Sequence, residues 1–141
     1  MGELDAEISA DGNTLYFVDG YFGNRKQPQT SILVAAVRAG NGFRRLPERT
    51  PLFANVNSDW LPYAPDLSAD EPELFFTRVR RIEPSAQPAV FRSVRETVDQ
   101  PFSVPQRIRA IRGFAEASTL SPDCRSLYYH ARVRGRFRLR V

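Results

Sequence analysis

The residues that could do chemistry in this chain are few, and they sit close together near its end. Ser121, His130 and the acidic side chains around them could in principle form a nucleophile–base pair, with His130 drawing a proton from a serine hydroxyl. His130 is the only histidine and Cys124 the only cysteine, so a zinc centre would have one nitrogen and one sulfur ligand to draw on, six positions apart. One cysteine also excludes an intrachain disulfide. Ser121 has counterparts elsewhere in the sequence, which points to a turn role rather than a nucleophile.

No G-x-S-x-G elbow occurs. "GYFGNRK" lacks the spacing of a phosphate-cradling loop. "DGNT" and "NVNSD" offer too few oxygen ligands for calcium. No catalytic residue, metal or cofactor is expected from these patterns.

The serine's counterparts lie in a ten-residue phrase written three times: "ISADGNTLYF" from Ile8, "LSADEPELFF" from Leu67 and "LSPDCRSLYY" from Leu120. Asp11, Asp70 and Asp123 align, 59 and then 53 residues apart. A branched apolar residue and Ser end one strand, a tight turn follows, and an apolar-aromatic strand begins. Asp bonds readily to its own downstream backbone, and Gly12 takes positive φ without strain. Asp11, Gly12, Asp70 and Asp123 are therefore expected to form structural turns. Glu71-Pro72 replaces the glycine in the second copy, which predicts a longer or differently shaped turn there.

After each hairpin a polar loop leads to a third strand, at 32–38, 89–95 and 137–141. In the first two copies a Phe shortly before a Pro (Phe43 to Pro47, Phe102 to Pro105) predicts an edge strand, because Pro cannot donate to an inner ladder. The units thus read as blade 1 at about 4–56, blade 2 at about 60–112 and an incomplete blade 3 at about 114–141, within a single repeat domain. Four-stranded units in tandem, without amphipathic helices, predict an all-β fold: a partial β-propeller of about three antiparallel blades. Small blades bury their faces only against each other.

The chain has 141 residues, 42% hydrophobic and 26% charged, a soluble globular composition, and eleven prolines that argue against long helices. No apolar run is long enough to span a membrane, so no membrane insertion is expected. The N-terminus has neither a basic start nor an apolar stretch, so no secretory signal is expected: the chain reads as cytoplasmic as written, and as periplasmic if it is a fragment of an exported protein. The net charge is +4, and Lys26 is the only lysine. In "RGRFRLRV" Arg136, Arg138 and Arg140 alternate with apolar residues. That alternation predicts a half-buried strand rather than a phosphate-binding surface, so nucleic acid is not an expected partner.

The phrase Ser-x-Asp-Gly-x-x-Leu-Tyr-Phe, with "VAAVR" after it and Asn57-Ser58 in the linker "NVNSDWLPYAPDLSAD", resembles the TolB-type, WD-repeat-like propeller repeats of bacteria. The likeness runs from about Leu4 to Val141, with Cys124 standing where Gly is usual. It implies a propeller. Relatives of that repeat serve as scaffolds in periplasmic or envelope complexes, or as accessory domains beside enzymes, and are often exported.

In a propeller the first strand of each blade lines the central channel. Glu7, Asp66 and Glu116 lie on those strands and are candidate channel-lining or partner contacts. Trp60 and Tyr63, in the linker before blade 2, are candidates for a protein or peptide partner or for filling the gap between blades. Closed propellers have 4–8 blades. About three blades therefore predict completion of the ring by self-association or by neighbouring blades of a larger chain. The expected function is a non-catalytic binding or interaction module. The alternative is a fragment or accessory domain of a larger propeller-containing enzyme.

Overall fold

Each repeated phrase folds around its serine. Ser9 N–H donates to the Thr14 carbonyl at 2.8 Å, Ser68 N–H to Glu73 at 3.0 Å and Ser121 N–H to Ser126 at 2.7 Å. The same serine hydroxyls accept the N–H groups of Thr14 (2.8 Å), Glu73 (3.1 Å) and Ser126 (2.9 Å). Two hydrogen bonds per serine close a four-residue turn, and the strands on either side are placed in antiparallel register.

The computed structural model describes residues 2–23, 28–47, 51–58 and 60–141. Lys26 and Asp59, and with them parts of the first polar loop and of the linker, lie outside the described residues. Blade 1 contains β1 (Gly2–Ile8), β2 (Thr14–Tyr21), β3 (Thr30–Ala39) and β4 (Gly42–Arg45), hydrogen-bonded in that order. Blade 2 contains β5 (Leu61–Leu67), β6 (Glu73–Val79), β7 (Ala89–Val94) and β8 (Gln106–Arg107). Blade 3 has three strands, β9 (Ala115–Leu120), β10 (Leu127–Val133) and β11 (Arg136–Arg140). The chain is an all-β partial propeller with two four-stranded blades and a third of three strands.

The second turn corrects an expectation. Glu71 N–H donates to the Ser68 carbonyl at 2.8 Å, as Gly12 does to Ser9 and Cys124 to Ser121. The three residues share a left-handed backbone, with φ of 72° at Gly12, 66° at Glu71 and 55° at Cys124. The turn keeps its shape without glycine because Glu71 gains side-chain partners described below.

Two strands also differ from the sequence reading. The fourth strand of blade 2 is not at Phe102–Pro105. The linker of blade 1 holds Phe102: its N–H donates to the Leu52 carbonyl (2.9 Å), and Asn55 Nδ2 donates to its carbonyl (2.8 Å). The ring is fully buried and the ladder resumes only at Gln106. In blade 3 the segment read as a polar loop continues β10 to Val133, and Arg134 and Gly135, both at positive φ, make a two-residue hairpin turn. Both faces of β11 are exposed, so it is not half-buried. It is the outermost strand of its sheet among the described residues.

The blades stack in chain order. Between blades 1 and 2, Tyr16, Val18, Leu33 and Ala35 meet Leu74 and Phe76, with Leu52, Phe53, Val56 and Phe102 between them. Phe53 stacks on Phe102 at 5.8 Å between centroids, and Tyr16 meets Phe53 edge-on at 6.2 Å. Burying each such side chain contributes about 1.5–3 kcal/mol. Between blades 2 and 3 the apolar cluster is smaller: Val90, Ile111 and Ala115, with Ile108, Leu127 and Tyr129 packed against it.

Candidate functional site

The inner strands share a device that the sequence does not announce. β1, β5 and β9 each carry a bulge six residues before the turn aspartate, at Asp5, Ala64 and Ala117, with φ of 48°, 48° and 49°. A bulge leaves its N–H outside the ladder. The preceding blade takes it: Asp5 Oδ2 accepts from Ala64 N–H (3.1 Å), and Thr77 Oγ1 accepts from Ala117 N–H (2.9 Å). Asp5 is of a type enriched in the left-handed backbone, but Ala64 and Ala117 are not, so residue type gives no common signal of the bulge.

The bulges also fix which inner-strand residues correspond. Glu7 and Asp66 share a position four before the turn aspartate, but the third residue at that position is Thr119. Glu116 corresponds to Tyr63 and Leu4. The three expected carboxylates therefore do not form one ring. Asp66 brackets blade 3, accepting from the Thr119 hydroxyl at 3.0 Å and from Leu120 N–H at 2.8 Å. Tyr63 donates its hydroxyl proton to Glu116 Oε2 at 2.8 Å, and burial followed by that carboxylate pushes the phenol well above its usual range.

Glu7 and Asp66 are brought together. Burial, and then the nearby Asp66 charge, raise the Glu7 carboxyl above its ordinary value of 4.5. Burial raises Asp66 above 3.8, partly offset by the hydrogen bonds from Leu120 and Thr119. A desolvated carboxyl beside a like charge retains its proton to higher pH. Among the described residues no group of three or more His, Cys, Asp or Glu could hold a metal ion.

At the turns, Asp11 accepts from the Ser9 hydroxyl at 2.6 Å and from Asn13 N–H at 2.9 Å, and Asp123 accepts from Ser121 at 2.6 Å and from Arg125 N–H at 3.2 Å. These bonds hold both carboxyls below the usual range. Ser121 therefore points its proton at Asp123, while His130 is exposed on β10 opposite Glu116 and Leu139. Asp70 is exposed at the tip of the second turn. Trp60 is half-buried: its ring meets Phe91 at 6.3 Å, and the Arg80 guanidinium lies 5.1 Å from its centroid.

Sequence reasoning missed the arginine latch between blades 1 and 2. The Arg95 side chain is fully buried. It donates to the Glu71 backbone carbonyl (Nε, 3.0 Å), the Val98 carbonyl (2.8 Å), the Tyr16 hydroxyl (3.0 Å) and Glu71 Oε2 (3.0 Å). Its guanidinium stacks 4.4 Å from the Phe102 centroid. Arg38 holds the matching place in blade 1. Arg38 N–H donates to the Asn13 carbonyl as Arg95 N–H does to Pro72, and Arg38 Nε and Nη2 donate to the Gly12 carbonyl at 2.9 and 2.7 Å. Arg38 also lies over a phenyl ring, that of Phe43 at 5.0 Å. The available signal is positional: "VAAVR" and "FRSVR" both end a third strand in Val-Arg.

No family model matches the sequence. No curated protein matches it either. Among solved structures, one similar chain is described as a thermostable family-43 glycoside hydrolase, at 14% identity and a TM-score of 0.48. The alignment covers 92% of this chain and 49% of that one, so the chain spans about half the length of the structure it matches.

Proposed function

We propose that this chain is a non-catalytic interaction module, a run of propeller blades whose exposed face on blade 3 takes a further blade. The observation that carries this reading is the regularity of the joints. Residues four, six and eight positions after each turn aspartate face the preceding blade (Leu74, Phe76 and Arg78; Leu127, Tyr129 and Ala131), and residues five and seven positions after it face the next (Tyr16 and Val18; Phe75 and Thr77). By the same register Leu15, Phe17 and Asp19 lie on the far side of blade 1, with Ile32, Val34 and Ala36 beside them, and Phe17, Val34, Ala36 and Asp19 are already buried there. Tyr128 and His130 face outward from blade 3, with Leu139 paired to His130. Leu139 is 68% exposed and Phe137 57%. Apolar side chains exposed together on a repeat unit mark a surface built to be covered. The likeness to TolB-type repeats supports the same reading.

Amide hydrogen exchange tests it. β11 should exchange rapidly in the chain at nanomolar concentration and gain protection when its complement is present. Strong protection of β11 in the dilute, isolated chain would overturn the reading.

One observation favours a second reading, in which the blades belong to a larger propeller-containing enzyme. The Glu7 carboxyl, on an inner strand, is raised above its ordinary value by burial and the nearby Asp66, the direction general-acid work requires. Hydrolytic turnover of activated glycosides, esters or phosphates, lost in Glu7→Gln, would establish it.

A further inference from the structure

β11 is the third strand of its blade, the place that β3 and β7 hold in theirs, but among the described residues its outer edge has no partner strand. The hairpin decides which backbone groups lie on that edge. Arg132 N–H donates to the Phe114 carbonyl, so in β10 the backbone of Arg132 turns toward β9 and those of Ala131 and Val133 turn toward β11. Val133 pairs with Arg136 and Ala131 with Arg138, so the backbone groups of these arginines are engaged by β10. The N–H and C=O groups of Phe137 and Leu139 point the other way. They open onto the place that β4 and β8 fill in blades 1 and 2.

The side chains along this edge have one sign and a strict alternation. Arg136, Arg138 and Arg140 share one face and Phe137 and Leu139 the other, and all are exposed. Among the described residues no ion pair involves these arginines. The third strands of the completed blades differ. β3 carries Arg38, bonded to the Gly12 carbonyl, and β7 carries Arg92, paired with Glu73. From Gln106 to Val141 nine arginines stand against Glu116 and Asp123, so a basic strand is repelled from this edge. Like charges directly opposite destabilise a strand pair, which rules out a second copy's β11 as the partner.

Resting on the module reading above, we infer that β11 takes an extended segment of another protein as the fourth strand of blade 3. The segment runs antiparallel, as β4 and β8 do, with acidic residues opposite the three arginines and apolar residues opposite Phe137 and Leu139. In such strand addition the ladder hydrogen bonds give affinity and the alternate side chains give specificity. A polyphosphate would engage the arginines but leave Phe137 and Leu139, with their open backbone groups, uncovered.

Fluorescence anisotropy with the labelled, capped peptide Thr-Glu-Val-Glu-Val-Glu-Thr tests the pairing. The peptide should bind at least about tenfold more tightly than its counterpart with Lys for every Glu, in which three opposite-charge pairs become like-charge pairs. Methylating its two Val nitrogens, which donate to the Phe137 and Leu139 carbonyls, should weaken binding about tenfold. Arg138→Glu combined with Arg140→Glu should weaken the Glu peptide about tenfold and strengthen the Lys peptide, with unchanged circular dichroism. In the saturated complex the amides of Phe137 and Leu139 should exchange at least about tenfold more slowly, and those of Arg138 and Arg140, already bonded to β10, should change less. Failure of the Glu peptide to bind, or equal binding of the methylated peptide, overturns the inference. So does an oligothymidylate that binds as tightly as the Glu peptide, with no slowing at Phe137 and Leu139 in either complex. If the Glu peptide fails and β11 exchanges freely in the dilute chain, the module reading stands with a different partner. If β11 is strongly protected there, the module reading falls as well.

Discussion

Glu71, in a left-handed backbone conformation at φ 66°, accepts the Tyr16 hydroxyl proton at 2.5 Å across the joint between blades 1 and 2. The carboxylate also pairs with the buried Arg95 guanidinium at 3.0 Å, and burial with this carboxylate nearby pushes the Tyr16 phenol up to about 12. A residue that the backbone disfavours is retained at the turn because its side chain completes the charge balance of the joint. A non-glycine residue in this region costs roughly 1–2 kcal/mol, whereas stripping the partner from a buried charge costs about 3–5 kcal/mol. The second effect wins.

That balance predicts opposite signs for one substitution at two equivalent positions. Glu71→Gly relieves the backbone but leaves Arg95 without its carboxylate, and should destabilise by about 2 kcal/mol. Cys124→Gly, at φ 55° on an exposed turn, loses no such partner and should stabilise by about 0.5–1 kcal/mol. Urea melts of the two variants check this. Two shifts of the same sign would show that the turn geometry, not the latch, dominates at Glu71.

The turn serines should rank by burial. The Ser9 hydroxyl accepts from Asn13 and Thr14 N–H groups and is buried; Ser68 is buried and accepts from Glu73; Ser121 is half-buried with a similar set of bonds. Removing a hydroxyl leaves buried N–H groups unpaired, at about 1–3 kcal/mol. Ser9→Ala and Ser68→Ala should each cost more than Ser121→Ala in midpoint denaturant concentration. An equal loss at all three positions would contradict the role assigned to burial.

The hairpins were legible because their chemistry is local. Ser-x-Asp and the aromatic run after it lie within ten residues, and periodicity two shows the strand faces. The bulges were not legible: the N–H groups of Ala64 and Ala117 are held by Asp5 and Thr77 of the preceding blade rather than by their own side chains. That is why Glu116 reads as the partner of Glu7 and Asp66, whereas the register puts Thr119 there. The Arg95 latch was hidden for the same reason: its partners Tyr16, Glu71 and Val98 are scattered along the chain. β11 reads as half-buried from its alternation, but alternation reports which face could be covered, not whether it is.

Stability should depend on pH through two opposed sets of carboxyls. Glu7 and Asp66 hold protons to higher pH in the folded chain than in the unfolded one. Their contribution is present below the ordinary carboxylate range and is lost as pH rises through their raised values. Asp11 and Asp123, held low, act in reverse: their contribution is present above the ordinary range and lost as pH falls through their lowered values. Glu7→Gln removes a desolvated carboxyl that the Asp66 charge repels. Its melting temperature should exceed that of the unmodified chain at about pH 7 and converge with it near pH 4. A constant offset across that range would mean that the Glu7 charge plays no part.

Arg78 closes the linker between blades 1 and 2, and its environment predicts an order of damage. The guanidinium donates to the carbonyls of Asn55 and Val56 and to the Ser58 hydroxyl, and lies 5.5 Å from the ring centroids of both Phe76 and Phe91. Burial lowers its pKa, and its Nε has no hydrogen-bond partner, so the site carries a desolvation cost that its bonds offset only in part. Arg78→Ala removes the hydrogen bonds and the packing together and should cost about 3–5 kcal/mol, as truncation of buried charges and large side chains does. Arg78→Met keeps most of the volume against Phe76 and Phe91 and removes both the buried charge and the unpartnered N–H. It loses only the bonds to the linker, and should cost about 1 kcal/mol. Amide exchange at 55–58 should quicken in both variants, since both free the same carbonyls, while global stability separates them. A Met variant as damaged as the Ala variant would show that the hydrogen bonds to the linker, rather than the packing of the stem, hold the two blades in register.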